Sequence, residues 1–468
     1  MRIKNLLFTA AIGLFIYVVS VTAIGCAQIG APTGGPRDSI APILVSAVPK
    51  LMATNFTGNK ISLIFDEYIN VLDVQKNVLV SPFPKKSPII DYKLRTVNIK
   101  LVDTLLPNTT YAINFGNGIV DNNEGNPFKE FTYVFSTGKT IDSLQLSGTV
   151  LLAETGRADS TLLAFLYSNA NDSSVEKRKP NYIAKLNARG HFTFTNLPKG
   201  DYRLYALKDG NGSKTYDSKL ETFAFLNEDV VVAGPRDSVL LYAYDEEKEK
   251  KKPTVAAPAP KTAADKKLRY VSSVSSSAPQ GLLNDSLQIR FNNKLKVFDT
   301  SKIILTDSNY NKITTSSILL DSTRKIVTII NKWPEDTYYR LIINKDAVSD
   351  SANGLISKTD TIRFKSKKEA EYGSLKLRFT KIDLTKHPVI QFLKSTEIVK
   401  SVKVTGPEWN DKLMEPSEYE LRILYDANNN GIWDPGNYAK KLQPEKALTL
   451  DKKLTIKANF DNEREVEL

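Results

Sequence analysis

The sequence repeats itself in pairs, and the spacing of the repeats limits what it can fold into. Phe65 and Phe291 are 226 residues apart, Pro107 and Pro334 are 227, and Gly125 and Gly354 are 229, as are Phe135 and Phe364. A second set keeps a different separation: Tyr202 and Tyr419 are 217 apart, and so are Asp209 and Asp426. Two kinds of unit therefore alternate in the order A-B-linker-A-B. The A units run over 41–138 and 269–367, and the B units over 140–244 and 370–468. A chain of 468 residues is too long for one core, and units of about 100 residues are of ordinary domain size.

Strand signals dominate both kinds of unit. Ile61-Ser62-Leu63-Ile64-Phe65 and Thr96-Val97-Asn98-Ile99-Lys100-Leu101 are short β segments, the second alternating cleanly. Turn residues punctuate them at Pro107-Asn108, Gly116-Asn117-Gly118 and Asp121 to Pro127. In the B units, Leu162 to Tyr167, Phe192-Thr193-Phe194 and Tyr202 to Leu207 are strand candidates. The 20 Tyr and 20 Phe tilt the composition the same way. Residues 245–268 are almost wholly charged and then Pro/Ala-rich, which reads as a semi-rigid linker. The expected fold is all-β, a series of tandem β-sandwich modules, Ig-like and prealbumin-like. The linker sets the first pair apart from the second, so the array is expected to be a rod.

The A units resemble the bacterial immunoglobulin-like domain named after the S-layer protein SbsA. The residues that carry this are Ala41-Pro42, the strand ending Phe65-Asp66-Glu67, Leu106-Pro107-Asn108-Thr109-Thr110-Tyr111, the loop from Val120-Asp121 to Gly125-Asn126-Pro127, and Phe135-Ser136-Thr137-Gly138. The second copy lacks the Pro42 and Gly138 equivalents. The B units resemble prealbumin-like or carboxypeptidase-regulatory-like sandwiches, through a Gly-x-Val opening at Gly148, a Phe-x-Phe strand at Phe192, and the hairpin Leu197-Pro198-Lys199-Gly200-Asp201-Tyr202. The last copy keeps Pro416 and Tyr419 but has Ser417-Glu418 in place of the expected glycine turn. The resemblance implies an anchored envelope protein without catalysis.

The start of the chain agrees with that location. Arg2 and Lys4 precede an apolar run from Leu6 to Val21, and small residues lead to Cys26, the single cysteine. Residues 1–25 read as a signal peptide, and Ala23-Ile24-Gly25-Cys26 resembles the lipobox of bacterial lipoproteins. That resemblance implies cleavage before Cys26 and acylation of its thiol, with 26–40 as a flexible tether. Each buried methylene contributes about 0.8 kcal/mol, so a multiply acylated cysteine holds firmly to a membrane. The formal charge of +12 falls to +10 without Arg2 and Lys4. No basic helix or stacking motif accompanies it, which, with export, argues against nucleic acid as a partner.

Three sets of residues carry the remaining expectations. Asp426, Asn428, Asn430, Ile432 (through its carbonyl) and Asp434, with Gly431 at the turn, have the oxygen-ligand spacing of a calcium loop, although Asn437 stands where a bidentate Glu would be. Ca²⁺ is the one candidate ion and no other cofactor is expected; the competing reading is an Asp/Asn/Gly hairpin closed by its own hydrogen bonds. Trp333, Trp409 and Trp433 lie near turns and are candidates for binding a glycan or an envelope protein. His191 and His387 have no nucleophile motif beside them, so no catalytic residues are assigned and no enzyme is expected. The sequence reads as a lipid-anchored, non-catalytic binding or spacing element of a Gram-negative envelope, probing an unidentified protein or glycan. Its alternative is a carbohydrate-binding accessory lipoprotein of a glycan-uptake system.

Overall fold

The computed structural model describes residues 9–18, 37–168, 171, 173–234, 238–248, 268–283, 286–350, 354–356 and 358–467. Cys26 and most of the 26–40 segment lie outside the described residues, as do 249–267 of the linker. Among the described residues no helix is long and apolar enough to cross a membrane. The chain divides into two compact units, one of residues 1–80 with 84–141, the other of 81–83 with 142–468.

In the first unit, alternation puts one side of each strand into a core. Leu44–Val48, Lys60–Phe65, Thr96–Lys100 and Ile89–Lys93 form an antiparallel sheet in that spatial order, with Leu63 opposite Val97. Thr110–Gly116 pairs with Phe131–Ser136. Leu63, Val97, Ile113, Phe115, Tyr133 and Phe135 fill the space between, all fully buried.

The loop after Val120 is held by one carboxylate. Asp121 is buried, and its Oδ1 accepts the backbone N–H groups of Asn123 (2.9 Å), Glu124 (2.6 Å) and Gly125 (3.0 Å), while Oδ2 accepts that of Asn126 (2.7 Å). Burial alone pushes this carboxyl up, but the four donors favour the charged form and hold it below the ordinary value of 3.8. The matching turn of the second A unit uses Asp350 in the same way, accepting Gly354 N–H at 2.7 Å and Asn293 Nδ2 at 2.9 Å.

The second unit holds three sandwiches. Each B sandwich has the same two sheets. In the first, His191–Leu197, Leu144–Leu152 and Val239–Ala243 form one sheet, with the last two strands parallel. The other sheet is Tyr182–Lys185, Leu163–Ser168, Gly200–Leu207 and Phe223–Phe225, with Val230–Val232 also on Gly200–Leu207. The last sandwich repeats this with Glu408–Met414, Gly373–Thr380 and Asp461–Glu467 against Glu397–Lys403, Pro388–Lys394, Ser417–Tyr425, Lys446–Thr449 and Leu454–Ile456. On the central strand of the first, Gly148 lies opposite Phe192, and a Cβ there would be 2.3 Å from that ring; on the central strand of the last, Gly373 lies opposite Met414 beside a register shift, and a Cβ there would be 2.3 Å from the Lys457 carbonyl.

The divergent hairpin at Ser417-Glu418 keeps the geometry of its counterpart. Tyr419 donates its hydroxyl to the Glu415 carbonyl at 2.7 Å, just as Tyr202 donates to the Pro198 carbonyl at 2.8 Å. The tyrosine, not the glycine, sets this corner. Between the B sandwiches in sequence, the second A sandwich packs Leu287, Ile289, Val327, Ile329, Leu341 and Ile343 into its own core.

Replacing Asp121 with Ala leaves four N–H groups without an acceptor and is expected to destabilise the first unit by about 2 kcal/mol at pH 7. A carboxyl whose folded pKa is depressed contributes stability above its unfolded value, and that contribution fades as pH falls through the folded value. Urea unfolding of wild type and Asp121→Ala should therefore converge as the pH falls through the folded value, below the ordinary 3.8, and a constant gap down to acid pH would contradict this role.

Candidate functional site at the joint between the B sandwiches

Two strands of the first B sandwich are apolar on both faces. Ala164, Leu166, Leu204 and Ala206 face the sandwich core, and the alternate residues Phe165, Tyr167, Tyr205 and Leu207 face outward, yet all eight are fully buried. Such runs require cover on both sides. Part of the outer cover is the sandwich's own, with Val175 in the same cluster and Tyr216 stacked on Phe223 at 4.2 Å, and part comes from the last B sandwich. The Tyr438 ring enters between Phe223 and Phe225, each 5.1 Å away, and Tyr205 at 6.0 Å, all edge-on. Its hydroxyl lies 3.2 Å from that of Tyr205.

Backbone closes the same joint. Ala447 and Thr449 donate their N–H groups to the carbonyls of Ala153 (2.7 Å) and Thr155 (3.1 Å), so the 153–155 segment covers the edge of Lys446–Thr449. Two glycines permit this approach. Gly156 has φ +68° and a Cβ there would lie 2.6 Å from the Ala447 carbonyl; at Gly436 it would lie 2.6 Å from the Tyr244 ring. Glu246 is a polar clasp with a nearly buried side chain, accepting from Asn437 Nδ2 at 2.8 Å and ion-paired to Lys219 at 2.9 Å. Arg157 and Glu420 pair at the rim at 2.5 Å. The expectation that residues 245–268 hold the two pairs apart is thus corrected: the first and last B sandwiches touch, and the start of the linker is part of their contact, because the outward aromatic face needs a cover.

The Asp426 loop borders this joint. Asp426 is fully buried and accepts the N–H groups of Asn430 (3.1 Å) and Gly431 (2.6 Å). Asn428 and Asn430 turn their amide nitrogens onto Asp434 Oδ2, at 2.5 and 2.7 Å, and their oxygens accept the N–H groups of Asn430 and Ile432. Glu445, outside the predicted set, completes the loop by accepting from Ala427 N–H at 2.8 Å and Asp434 N–H at 3.0 Å. Burial pushes the Glu445 carboxyl above its ordinary value, against those two donors. The structure therefore brings the predicted residues together in a loop that closes on itself. Its donor types suit Ca²⁺, but two amide N–H groups stand where ligand oxygens would be needed. Among the described residues no group of three or more His, Cys, Asp or Glu is arranged to hold a metal.

The three tryptophans have separate fates. Trp333 is buried against Tyr339 and Phe364, with ring centres at 5.1 and 5.7 Å, so it is a core residue and not a surface for a ligand, which corrects its place among the binding candidates. Proline at 334 turns the chain only after the indole has entered the core. Trp409 is half-buried on the strand Glu408–Met414, 5.4 Å from Phe392, with Lys400 over its other reach at 5.4 Å. Trp433 donates Nε1 to the Glu445 carbonyl at 2.8 Å and lies under Lys248 at 5.4 Å, which makes it part of the joint. His191 begins the strand His191–Leu197, with its Nε2 3.4 Å from the exposed Thr193 hydroxyl, and His387 ends a short 3₁₀ turn with φ 47°.

Residues 38–137 match a family described as a bacterial Ig-like domain. No curated protein matches the chain. Among solved structures the chain is similar to the N-terminal part of the bacterial S-layer protein SbsC, at 16% identity and a TM-score of 0.16 over 44% of each chain, so it spans less than half of that neighbour. It is also similar to the Bacillus anthracis TIE protein, at 10% identity and a TM-score of 0.17 over 93% of this chain and 76% of that one. BcpA, the major pilin subunit of Bacillus cereus, is similar at 10% identity and a TM-score of 0.17 over 70% and 99%. Likenesses this distant carry no argument about what the chain does.

Tyr438→Ala is expected to destabilise the joint by about 3 kcal/mol, the range for removing a buried aromatic ring. Gly156→Ala should act in the same direction through backbone strain and the close Ala447 carbonyl. Scanning calorimetry of the whole chain checks both: the B sandwiches melt together in wild type and separately in the variants. Unchanged melting in both variants would rule out a cooperative joint.

Proposed function

We propose that the chain is a non-catalytic binding and spacing element of a bacterial cell envelope, attached to a membrane by a lipid on Cys26. The observation that carries this reading is the joint. Its chemistry is packing: buried rings, two tight glycines and a clasping carboxylate fix one sandwich on another, as a load-transmitting or display element requires, and among the described residues no nucleophile, base and orienting group converge there. The bacterial Ig-like match over residues 38–137 and the Ala23-Ile24-Gly25-Cys26 sequence support an envelope location. A Gram-negative outer membrane is the proposed attachment, facing either the periplasm or the surface. A second reading, a carbohydrate-binding accessory lipoprotein of a glycan-uptake system, is favoured by a groove beside the joint, lined by Tyr242 and Tyr425.

Cells expressing the wild-type chain should incorporate labelled palmitate into it and retain it in the membrane fraction, whereas Cys26→Ala should do neither. Equal membrane retention of the unlabelled variant would contradict the anchor. Protease shaving of intact cells then separates surface display, in which the sandwiches are lost, from periplasmic attachment, in which they survive.

The Asp426 loop is proposed to bind Ca²⁺ at the millimolar level of extracellular modules, which requires Asn428 and Asn430 to give up their contacts to Asp434. Calorimetry on the mature chain should show weak heat with Ca²⁺ that Asp434→Asn removes. No heat and no change in melting temperature at excess Ca²⁺ would leave the loop as a self-closed hairpin.

A further inference from the structure

The two B sandwiches leave a groove of about 530 Å³ along one side of their joint. Its apolar walls are Leu151, Ala447 and Leu448, and its polar groups come from both sandwiches: Tyr242 from the first, Tyr425, Lys386 and Lys446 from the last. Lys446 lies over the Tyr242 ring at 4.4 Å and Lys386 over the Tyr425 ring at 5.8 Å, so each ammonium is held at the groove by a ring. Lys386 is paired with Asp383 at 3.1 Å, while Lys446 has no ion pair among the described residues. The Tyr242 and Tyr425 hydroxyls likewise have no protein hydrogen-bond partner among the described residues. Burial pushes the Tyr242 phenol up, and neighbouring Tyr425 adds to this, so it remains an O–H donor at neutral pH. The one carboxylate in the lining, Glu445, already accepts two backbone N–H groups.

The groove thus offers hydrogen-bond donors and positive charge above apolar walls, with its acceptor already in use. A complementary ligand is rich in acceptors, negatively charged, and has an apolar C–H face. We propose that this groove binds a segment of an acidic saccharide, with a uronic carboxylate on Lys446 and ring hydroxyl oxygens accepting from Tyr242 and Tyr425. The volume suits two to three sugar rings rather than an extended polymer. This deepens the binding reading above and rests on it. None of the three tryptophans predicted as binding residues lines the groove.

The test is calorimetry of the full mature chain with trigalacturonate at low salt and at 0.5 M NaCl, beside neutral cellotriose and anionic phospholipid vesicles. Trigalacturonate should bind and weaken in high salt, and cellotriose should give no heat. Lys446→Gln and Tyr242→Phe should each weaken binding roughly tenfold, the size of one lost charge-assisted or neutral hydrogen bond, with melting temperatures unchanged. Absence of trigalacturonate binding, equal binding of cellotriose, or indifference to both substitutions would overturn the proposal. Binding to the vesicles without binding to the saccharide would overturn it in favour of a lipid headgroup. A failure here with membrane retention still lost in Cys26→Ala would leave the anchored spacing role intact, whereas failure of the anchor alone would leave the groove's ligand standing.

Discussion

The outward aromatic face of the first B sandwich is the constraint on which the second half of the molecule depends. Phe165, Tyr167, Tyr205, Phe223 and Phe225 cannot be turned inward, because their strand neighbours already fill the core. Leaving five such rings in water would expose an apolar patch of several hundred Å². Tyr216 and Val175 of the same sandwich cover part of that patch, Tyr438 covers Tyr205, Phe223 and Phe225, and the backbone of Ala447 and Thr449 closes beside it. The last sandwich is therefore a structural partner of the first as well as its repeat.

This division of labour explains how the two copies diverged. The corner tyrosines Tyr202 and Tyr419 serve each sandwich internally, and they are shared. Residues that serve the joint are not. Tyr216, Phe223 and Tyr244 belong to one copy, while Gly436, Tyr438 and Gln443 belong to the other, since the two sides of a heterologous contact meet different surfaces. Gln391 and Arg422 are also buried on the outward face of the last sandwich, where the first has Phe165 and Tyr205 on the corresponding strands.

Much of this was legible in the chain before its fold was seen. The constant separations located repeated sandwiches, and alternation in Thr96–Lys100 located the face that packs. The unbroken apolar run Leu162 to Tyr167 also carried the signal for burial on both faces, but it could not say which distant segment provides the second cover. That information lies in shape complementarity across 233 residues between Tyr205 and Tyr438, beyond any local period. Glu445 escaped for a related reason: it is 11 residues past Asp434 and joins the loop only because the Lys446–Thr449 strand brings it back. Trp333 was misjudged because a turn residue beside proline can still send a large ring inward.

A joint of this kind gives the second unit a fixed internal geometry, which both a spacing role and a groove shared by two sandwiches require. Its direct measurement uses a specific protease site placed within residues 249–267, followed by cleavage and gel filtration under native conditions. The joint predicts that the two halves remain associated after cleavage and separate when Tyr438→Ala is introduced. Halves that separate on cleavage of the otherwise unaltered chain would contradict it.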